Sequence, residues 1–509
     1  MIVKQGRTPG ILPFDMGGVV RDASGVLRYT GLPSSLVAML KATVDAHGPD
    51  EALVEVGGER VSYRQLWDRS ARVAGGLRAA GVLRGERVAI RLGNGNDWAY
   101  AFFGIQMLGA VAVPVNTRFG DAEVEYVVTD SGARFIFQPG EALPDGEPTV
   151  VDGLAPGDLA AIFYTSGTTG FPKGAMTTHE NFLSNCETCR RVIQITDDVR
   201  LRNLISVPMF HVTGCNSQLL ITVMLGGTTV IMPAFEVQAF LQVIQAERIN
   251  MLTSVPAIFW LAMSQPNFGD VDVSTVRWVT YGGAPTAPDV IAKLRASFPG
   301  ARLGNGFGLT ETSSVSTFLP HEYCEKRPET VGFTAPVVEV DLDDVDASSG
   351  VGELLIRGQN IVAGYWNKPE QTAQTFVGGW LRTGDLARVD DDGFVQIVDR
   401  KKDMVNRGGE NVYCVEVENA LVQHPDVFEV AVLGVPDIMM GEKVGAVIVP
   451  RPGTNPDPHE IRAWAKAHIA DFKVPQFIAL RAEPLPRNPG GKVLKPVLRA
   501  DTEWGDQLR

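Results

Sequence analysis

Strand-like and helix-like segments alternate along most of this chain, and that alternation constrains the fold more than any other feature. Residues 63–80 and 98–108 have helical periodicity, whereas residues 87–91, 111–115 and 134–137 read as short strands. Further strand-like segments follow at 203–206, 228–232, 251–254 and 276–281. Alternation of this kind predicts an α/β fold of mainly parallel sheets layered with helices.

The length of the chain predicts more than one domain. A chain of 509 residues is too long for one typical hydrophobic core. Residues 390–407 form a charged stretch, which we interpret as a linker between two parts of unequal size. Helical signals at 415–423 and 459–469, and strand signals at 428–434 and 444–449, follow it and indicate a small α+β domain. The first ~35 residues are rich in Gly and Pro and predict an irregular leader packed on the surface.

Composition argues against several classes of protein. The formal net charge of −13 disfavours nucleic acid as a partner, so an anionic ligand must be held by local donors. The chain has no apolar run of roughly 18 residues and no secretory signal, so we expect no transmembrane segment and a cytoplasmic location. Five cysteines are too few for a disulfide framework, and Cys186 and Cys189 are expected one turn apart on a helix over 180–193.

Residues 164–174 carry the strongest functional signal in the chain. They read Tyr-Thr-Ser-Gly-Thr-Thr-Gly-Phe-Pro-Lys-Gly and follow an apolar, strand-like run at 159–163. Glycines let the backbone approach an anion closely, while the hydroxyl groups and Lys173 add donors and a positive charge. A strand that leads into such a loop predicts a polyphosphate cradle. The spacing differs from that of a Walker loop, and Pro172 disfavours a helix that begins at Lys173.

This segment resembles the signature T-S-G-[ST]-T-G-x-P-K-G of the adenylate-forming superfamily and matches it at every defined position. That superfamily includes acyl-CoA synthetases, peptide-synthetase adenylation domains and beetle luciferases. Segments similar to the family's later motifs follow in the family order, at 281–285, 305–312, 380–385, 399–403, 407–411 and 486–492. The resemblance extends from about residue 36 to about residue 498 and is closest to the fatty acyl-CoA synthetases.

The resemblance implies a set of nucleotide-binding residues. ATP and AMP are expected to bind Thr165, Ser166, Gly167, Thr168, Thr169, Gly170, Lys173, Gly283, Ala284, Pro285, Asn305, Gly306, Phe307, Gly308, Asp385 and Arg400. Within this set Phe307 borders the adenine, Asp385 accepts hydrogen bonds from the ribose hydroxyls, and Arg400 reaches the ribose and phosphates. Glu311 is expected to bind Mg²⁺, because a hard carboxylate oxygen suits that ion.

The resemblance also implies catalytic residues and a mobile C-terminal domain. The expected catalytic residues are Lys492, Thr310, Glu311 and His211. Thr310 contacts the α-phosphate, and Lys492 bridges it to the incoming carboxylate. Gly408 and Gly409 belong to the loop that lines the coenzyme A tunnel, and Lys402 matches the hinge. We therefore expect an adenylation domain at 1–398, a hinge at 399–403 and a mobile C-terminal lid at 404–509.

The residues expected to form the acid pocket are apolar. They are Phe210, Val212, Cys215, Val255, Pro256, Phe259, Gly282 and Val315. His211 matches the position at which acyl-CoA synthetases carry a histidine or aromatic gate, whereas members that activate amino acids carry an aspartate nearby. None of these residues has a charged side chain that would pair with a second charge on the substrate. We therefore expect a medium- or long-chain fatty acid, with an aryl acid as the alternative.

The predicted activity is ATP-dependent ligation of a small-molecule carboxylic acid to coenzyme A through an acyl-adenylate. Mg²⁺ is the expected cofactor, and ATP and coenzyme A are the co-substrates. Three alternatives stay open: a fatty acyl-AMP ligase that loads a carrier protein, a luciferase-like oxygenase that shares the adenylation step, and a non-enzymatic module that binds acyl-AMP or a nucleotide. No nucleic acid partner is expected, whereas peripheral membrane contact and the oligomeric state, including a homodimer, are left open.

Overall fold

A computed structural model of the chain describes residues 11, 13–165, 172–196, 198–284, 286–487 and 493–508. Its helices are α1 Leu36–His47, α2 Tyr63–Ala79, α3 Asn96–Met107, α4 Asp121–Ser131, α5 His179–Ile193, α6 Val212–Gly214, α7 Ile221–Met224, α8 Val237–Ala246, α9 Pro256–Met263, α10 Pro288–Ser297, α11 Pro369–Thr375, α12 Cys414–Leu421, α13 Pro458–His468 and α14 Lys495–Asp501. A π turn, Cys215–Leu220, separates α6 from α7, and a 3₁₀ turn spans Thr310–Thr312.

The strands are short, and most are separated by helices. They are β1 Val19–Arg21, β2 Leu27–Tyr29, β3 Glu51–Glu55, β4 Arg60–Ser62, β5 Arg87–Ile90, β6 Val111–Pro114, β7 Ala133–Phe137, β8 Leu159–Thr165, β9 Lys173–Thr178, β10 Arg202–Ile205, β11 Thr228–Ile231, β12 Met251–Ser254, β13 Trp278–Gly282, β14 Arg302–Leu309, β15 Ser314–Leu319, β16 Phe333–Thr334, β17 Val338–Asp343, β18 Gly352–Gly358, β19 Phe376–Val377, β20 Trp380–Val389, β21 Val395–Arg400, β22 Val405–Arg407, β23 Glu410–Val412, β24 Val427–Asp437, β25 Gly441–Pro450 and β26 Phe477–Leu480. Further 3₁₀ turns span Phe268–Asp270, His321–Tyr323 and Asp471–Lys473.

Two sheets form the framework of the N-terminal part. One has the order β16-β15-β14-β13-β12-β10-β11-β3-β4, in which β14 to β3 are parallel and the edge strands β15, β16 and β4 are antiparallel. The other has the order β7-β5-β6-β8-β9, in which β8 and β9 are antiparallel and the other neighbours are parallel. Every residue of β6 and β11 is buried, as in parallel sheets covered by helices. The predicted α/β fold is confirmed.

Local sequence explains where the flanking helices begin. Ser62 caps α2 by accepting a hydrogen bond from the Gln65 N–H, and the Gln65 side chain accepts one from the Ser62 N–H in return. Thr178 and Asn181 form the same reciprocal cap at the start of α5. Because Thr178 is also the last residue of β9, the chain passes from strand to helix without a connecting loop.

Two further sheets lie later in the chain. One has the order β17-β18-β20-β19, with β21 paired to β20, and the other has the order β23-β22-β25-β24, with β26 paired to β25. Apolar residues of β24, β25, α12 and α13 pack together under the second of these sheets, including Val417, Leu421, Val432, Ile448 and Ile461. The mixture of short helices with antiparallel strands is the α+β arrangement that the sequence predicts for this part.

The chain divides into two compact units. The first contains Met1–Asp341, Ile356–Leu381 and Asp391–Phe394, and the second contains Leu342–Leu355, Arg382–Asp390 and Val395–Arg509. Strands β21 and β22 cover half of residues 390–407, which the sequence did not predict. The charges of Asp399 and Arg400 suggested an exposed stretch, but both side chains have partners within the unit. The interpretation of this stretch as a linker stays a prediction. The domain boundaries after 398 and after 403 stay predictions.

The leader also differs from the prediction. Strands β1 and β2 form an antiparallel hairpin. Tyr29 is buried, with its hydroxyl 3.0 Å from the Thr188 hydroxyl on α5, and Arg28 forms a 2.7 Å ion pair with Glu180 on the same helix. The expected irregular structure is therefore wrong for residues 19–29, although the segment does pack on the first unit. Strands of three residues are too short to leave a detectable periodicity in the sequence.

Candidate functional site

Strands β8 and β9 hold the two ends of the predicted phosphate loop side by side. They are antiparallel, with Thr165 opposite Lys173, and the Thr165 hydroxyl donates to the Lys173 carbonyl oxygen at 3.4 Å. The strand that begins at Lys173 agrees with the expectation that Pro172 disfavours a helix there. The remaining predicted residues of the loop, Ser166, Gly167, Thr168, Thr169 and Gly170, lie outside the described residues.

Lys173, Tyr365 and Glu311 form a chain of contacts in the first unit. The Lys173 Nζ lies 4.9 Å from the centroid of the Tyr365 ring, which is a cation–π arrangement. The Tyr365 hydroxyl donates a 2.7 Å hydrogen bond to Glu311 Oε1. Burial and, to a smaller extent, the charge of Glu311 raise the pKa of Tyr365 well above its usual range. The hydroxyl therefore stays protonated near neutral pH, and the phenol contacts a cation and a carboxylate at the same time.

Sequence reasoning missed Tyr365. Residues 362–366 run alongside β9, and Ala175 forms a bridge with Tyr365. The Val362 N–H donates to the Glu311 carbonyl oxygen at 3.0 Å, so the same segment also holds the turn that carries Glu311. A Tyr-Trp pair at 365–366 was a usable signal, because large aromatic side chains outside regular elements usually pack against something.

Strands β13 and β14 end at the glycine-rich segments that are predicted to border the nucleotide. Gly282 lies opposite Gly306, and a Cβ at position 282 would come within 2.1 Å of the Gly306 carbonyl oxygen, so the close approach requires glycine. Gly283 has a φ of +76°. Among the other predicted residues Asn305 is buried, and Ala284, Phe307, Gly308 and Thr310 are half-buried. Pro285 lies outside the described residues.

The predicted acid-pocket residues fall on a few elements of the first unit. Phe210, Val212 and Cys215 lie at the start of α6 and of the π turn; Val255, Pro256 and Phe259 lie at the start of α9; and Gly282 and Val315 lie on β13 and β15. A Cβ at Gly283 would lie 3.8 Å from Val255, and one at Gly306 would lie 3.9 Å from Val315. The structure thus brings Val255 and Val315 next to the glycine-rich strand ends.

His211 precedes α6 and packs on Phe210, with 4.7 Å between the ring centroids. Its carbonyl oxygen accepts a 2.9 Å hydrogen bond from the Cys215 N–H, which starts the π turn. Cys215 and Phe259 are fully buried. Phe210 and His211 are therefore held at the start of a helical segment whose interior is packed.

Cys186 and Cys189 lie on α5, as predicted. Burial raises the pKa of both thiols, that of Cys189 to about 12. The Cys189 thiol lies 3.7 Å from the Ser217 hydroxyl in the π turn. Within the described ranges no three His, Cys, Asp or Glu side chains are grouped so as to hold a metal ion. The two thiols pack α5 against the π turn.

In the second unit, Asp385 and Arg400 face each other across β20 and β21. They are directly opposite in the ladder, and Arg400 Nε lies 2.7 Å from Asp385 Oδ1. The Asp385 side chain is only 3% exposed, and its buried charge is paired with Arg400, whose side chain is partly exposed. Gly384 has a φ of +71°, and its carbonyl oxygen accepts a hydrogen bond from the Lys401 N–H. The sequence predicted both residues of the pair but not the contact between them.

Lys402, the predicted hinge residue, lies in a tight turn between β21 and β22. The Asp403 and Met404 N–H groups both donate to the Arg400 carbonyl oxygen, at 2.9 and 3.0 Å. The Lys402 side chain is exposed. A short turn between two strands is a suitable place for a hinge. The role of Lys402 as the hinge residue stays a prediction.

Gly408 and Gly409 form the two-residue turn of the β22–β23 hairpin. Their φ values are +64° and +94°, which the twist of a tight hairpin favours and which glycine adopts without strain. The Gly408 N–H donates to the Met440 carbonyl oxygen at 2.7 Å, and the Gly409 N–H donates to Asn406 Oδ1 at 2.9 Å. These two hydrogen bonds hold the turn in place, and neither of its two residues has a side chain.

The predicted lysine loop is closed at its base. Arg487 forms an antiparallel bridge with Val493, and the Leu494 N–H donates to the Pro486 carbonyl oxygen at 2.7 Å. Lys492 itself lies outside the described residues.

Asp399 is a buried titratable group that the sequence did not single out. Its carboxylate accepts hydrogen bonds from the Arg400 N–H, at 2.7 Å, and from the N–H of Cys414, the first residue of α12. Burial raises the pKa of Asp399 to about 6, while Lys495 and the two backbone hydrogen bonds act in the opposite direction. Asp399 thereby joins the end of β21 to the start of α12.

We expect Asp399→Asn to change how the stability of the second unit depends on pH. The folded-state pKa of about 6 lies above the usual value of ~3.9, so the folded chain keeps this proton to higher pH than the unfolded chain. The stabilisation by the proton is complete below about pH 4 and is lost as pH rises through about 6. Asparagine cannot ionise, so the difference in unfolding free energy should shift by about 1–2 kcal/mol in favour of the variant as pH rises from about 5 to about 7. A constant cost lies beneath this shift, because the amide has one acceptor oxygen for the two N–H donors.

Urea unfolding at a series of pH values, followed by tryptophan fluorescence, measures this difference. Asp506→Asn is the control, because Asp506 is an exposed residue of the same unit. If the unfolding free energies of Asp399→Asn and wild type changed in parallel across this pH range, the expected titration of a buried Asp399 would be contradicted.

Comparison with known families decides the classification. Residues 40–366 match the model of the family described as AMP-binding enzyme, and residues 416–492 match that of the AMP-binding enzyme C-terminal domain. The chain belongs to the AMP-binding enzyme family. The predictions that the chain is an enzyme and a member of the adenylate-forming superfamily are thereby confirmed.

Relatives of this family align along nearly the whole chain. The chain is 34% identical to a feruloyl-CoA synthase of an Amycolatopsis species, over 89% of this chain and 96% of that protein. It is 35% identical to the long-chain-fatty-acid–CoA ligase FadD13 of Mycobacterium tuberculosis, over 86% of this chain and 93% of that protein. Among solved structures it is similar to o-succinylbenzoate coenzyme A synthetase (MenE) of Bacillus subtilis in complex with ATP and magnesium ion. The two chains are 27% identical with a TM-score of 0.82, and the match covers 91% of this chain and 99% of the other.

Proposed function

We propose that this protein is an ATP-dependent acid:CoA ligase that acts through an acyl-adenylate. The observation that carries the proposal is the Lys173–Tyr365–Glu311 chain at the end of the β8–β9 loop. A cation suited to phosphate and a carboxylate oxygen suited to Mg²⁺ are held near each other by one phenol, and a site for MgATP needs both groups. The family match and the names of the relatives, which are CoA ligases, support the same activity.

In the first step the carboxylate of the acid attacks the α-phosphate of ATP, and pyrophosphate leaves. Lys173 and Lys492 would neutralise the charge that develops on the phosphates, and the Thr310 hydroxyl would donate a hydrogen bond to the α-phosphate. Alignment of attacker and leaving group supplies much of the catalysis. Glu311 would hold Mg²⁺, which when bound adds further charge neutralisation. The hydrogen bond from Tyr365 fixes one oxygen of Glu311, so the carboxylate is oriented in advance.

In the second step the thiol of coenzyme A attacks the carbonyl carbon of the acyl-adenylate, and AMP leaves. Asp385 and Arg400 would hold the ribose. The Gly408–Gly409 turn would line the path of the pantetheine, since it presents backbone and no bulky side chains. The C-terminal lid would rotate about Lys402 between the two steps and withdraw Lys492. The domain boundaries 1–398, 399–403 and 404–509 belong to this proposal.

We propose a medium- or long-chain fatty acid as the substrate, with an aryl acid as the second candidate. The residues assigned to the pocket are apolar and offer no partner for a second substrate charge. The two relatives support one class each, because one is named for long-chain fatty acids and the other for feruloyl-CoA. His211 in place of an aspartate argues against amino acids.

Formation of AMP from ATP tests both the activity and the substrate class. The assay compares saturated fatty acids of increasing length with aryl acids, each with and without coenzyme A, and ranks them by kcat/KM. Thioester formation with fatty acids supports the proposal, and a preference for aryl acids would replace the substrate class. Acyl-AMP that never transfers to coenzyme A would favour a ligase that loads a carrier protein. Binding of acyl-AMP without turnover of any acid would favour the non-enzymatic module.

The cytoplasmic location, the oligomeric state and peripheral membrane contact stay predictions or open questions. In the part of the chain that the structure describes, no helix is both long and apolar enough to cross a membrane. Flotation with lipid vesicles tests membrane contact, and sedimentation equilibrium tests whether the protein is a homodimer.

We expect Glu311→Gln to raise the Mg²⁺ concentration needed for half-maximal adenylate formation by about 10–100-fold. The substitution keeps the shape of the side chain but removes a charged contact worth ~1.5–3 kcal/mol. Pyrophosphate–ATP exchange measured across a range of Mg²⁺ concentrations shows the shift, and calorimetry should show nearly unchanged binding of a stable acyl-AMP analogue. Tyr365→Phe keeps the ring beside Lys173 and should shift the Mg²⁺ requirement less. Normal exchange by Glu311→Gln at limiting Mg²⁺ would rule out Glu311 as the metal ligand.

A further inference from the structure

The two residues that precede Val315 have an unusual backbone conformation. Ser313 has a φ of +53° and Ser314 a φ of +110°, and both side chains are buried. Residues with a Cβ reach this region at an energetic cost, and they stay there only when their surroundings hold them. The Ser314 carbonyl oxygen also lies within 1.4 Å of the place where a Cβ at Gly308 would be, so glycine is required opposite it. The strained pair directly follows the turn that carries Glu311.

Two adjacent residues of the π turn hold this strained pair. Asn216 Nδ2 donates a 2.8 Å hydrogen bond to the Ser313 carbonyl oxygen. The Ser217 hydroxyl donates a 2.8 Å hydrogen bond to the Ser314 hydroxyl. Asn216 is fully buried and Ser217 is 5% exposed, so water does not compete for either bond.

Two more buried asparagines complete the support. Asn185 on α5 accepts a 3.0 Å hydrogen bond from the Val315 N–H. Asn360 Nδ2 donates to the Thr312 carbonyl oxygen at 3.1 Å. Residues 312–315 are thus held by side chains from α5, from the π turn and from the segment after β18. No single one of these contacts follows from the sequence signature of the Glu311 motif.

The π turn also carries the start of the predicted acid pocket. His211 precedes the short helix α6, Val212 is the first residue of α6, and Cys215 is the first residue of the π turn. A π turn contains one more residue than an α-helical turn, which changes the direction of the side chains that follow and often marks a functional site. In this chain Asn216 and Ser217 bond the serine pair, and the predicted acid-pocket segment 210–215 directly precedes them along the chain.

We propose that Asn216 and Ser217 are positioning residues that set the orientation of Glu311 for Mg²⁺ and couple it to the acid-pocket segment 210–215. This inference rests on the proposed function, because it takes Glu311 as the metal ligand. The hydrogen bonds fix the backbone on the C-terminal side of the Thr310–Thr312 turn, and the Val362 N–H fixes the Glu311 carbonyl oxygen. Loss of the π-turn contacts lets the strained pair relax, and Glu311 then leaves its metal-binding orientation.

The test compares Asn216→Leu with Asn203→Leu in the intact protein. Leucine has a similar size to asparagine but cannot donate to Ser313. Asn203 is also fully buried, but it bonds Thr222 at 3.1 Å and Gln218, the fourth residue of the π turn, at 3.4 Å, and not the serine pair. It therefore controls for a general loss of stability in the same helical segment. We expect the half-saturating Mg²⁺ concentration for pyrophosphate–ATP exchange to rise about fivefold or more in Asn216→Leu, which is about 1 kcal/mol. In Asn203→Leu it should stay within about twofold, whatever happens to stability.

Ser217→Ala is the second variant, because it removes one hydroxyl and is expected to fold if Asn216→Leu does not. It should raise the Mg²⁺ requirement in the same direction, together with the KM for the acid. A lower kcat or a lower unfolding temperature with an unchanged Mg²⁺ requirement in both variants would overturn the positioning role. Glu311→Gln in the same assay separates the two claims. If it shifts the Mg²⁺ requirement and neither π-turn variant does, this inference fails; if it causes no shift, the metal assignment in the proposed function fails.

Discussion

Lys492→Ala should lower the rate of adenylate formation by about 10²–10³-fold, as the loss of one group that stabilises a developing charge typically does. The lysine charge is needed where the α-phosphate is attacked. Thioester formation from acyl-AMP supplied in advance should be largely unchanged, because the proposed rotation carries Lys492 away from the site before coenzyme A reacts. The base of the loop is fixed by the Arg487–Val493 bridge, so the substitution should not disturb the fold around it.

Separate assays of the two half-reactions measure this prediction. Pyrophosphate–ATP exchange follows the first step, and release of AMP from synthetic acyl-AMP with coenzyme A follows the second. Lys466→Ala is the control, since Lys466 is a largely exposed lysine of the same unit. An equal loss in both half-reactions would contradict the idea that the C-terminal lid takes two orientations.

Lys402→Pro should reduce acyl-CoA production by about 100-fold while pyrophosphate–ATP exchange persists. Proline fixes its own φ near about −65° and restricts the residue before it, here Lys401, at a cost of up to ~3 kcal/mol where the backbone must change. In the structure the turn is already tight, with the Asp403 and Met404 N–H groups bonded to the Arg400 carbonyl oxygen. Proline should therefore trap one orientation and block the rotation that the second step requires.

Lys402→Ala separates backbone from side-chain effects. It removes the ammonium group but leaves the backbone free to rotate, so both half-reactions should stay close to those of wild type. Undiminished thioester formation by Lys402→Pro would refute the hinge assignment. A similar loss in both steps would indicate an ordinary structural turn.

Segments with a strong hydrophobic periodicity were sufficient to predict the class of the fold. The predicted strand 251–254 matches β12 residue for residue, and the predicted helix 63–80 differs from α2 by one residue. Such segments are decided locally, because each strand of a covered parallel sheet must be apolar on both faces. The leader hairpin and the strands within residues 390–407 were missed, because short strands and paired charges leave no such period.

The sequence by itself determined the family and the order of the motifs and predicted the phosphate loop, because each depends on residue types at fixed spacing along the chain. Only the tertiary structure decided which side chains meet. Tyr365 reaches Glu311 across 54 residues of chain, and Asn216 reaches Ser313 across 97. Contacts at such separations depend on how sheets and helices pack, and a hydrogen bond needs placement to within a few tenths of an ångström, which no local pattern specifies.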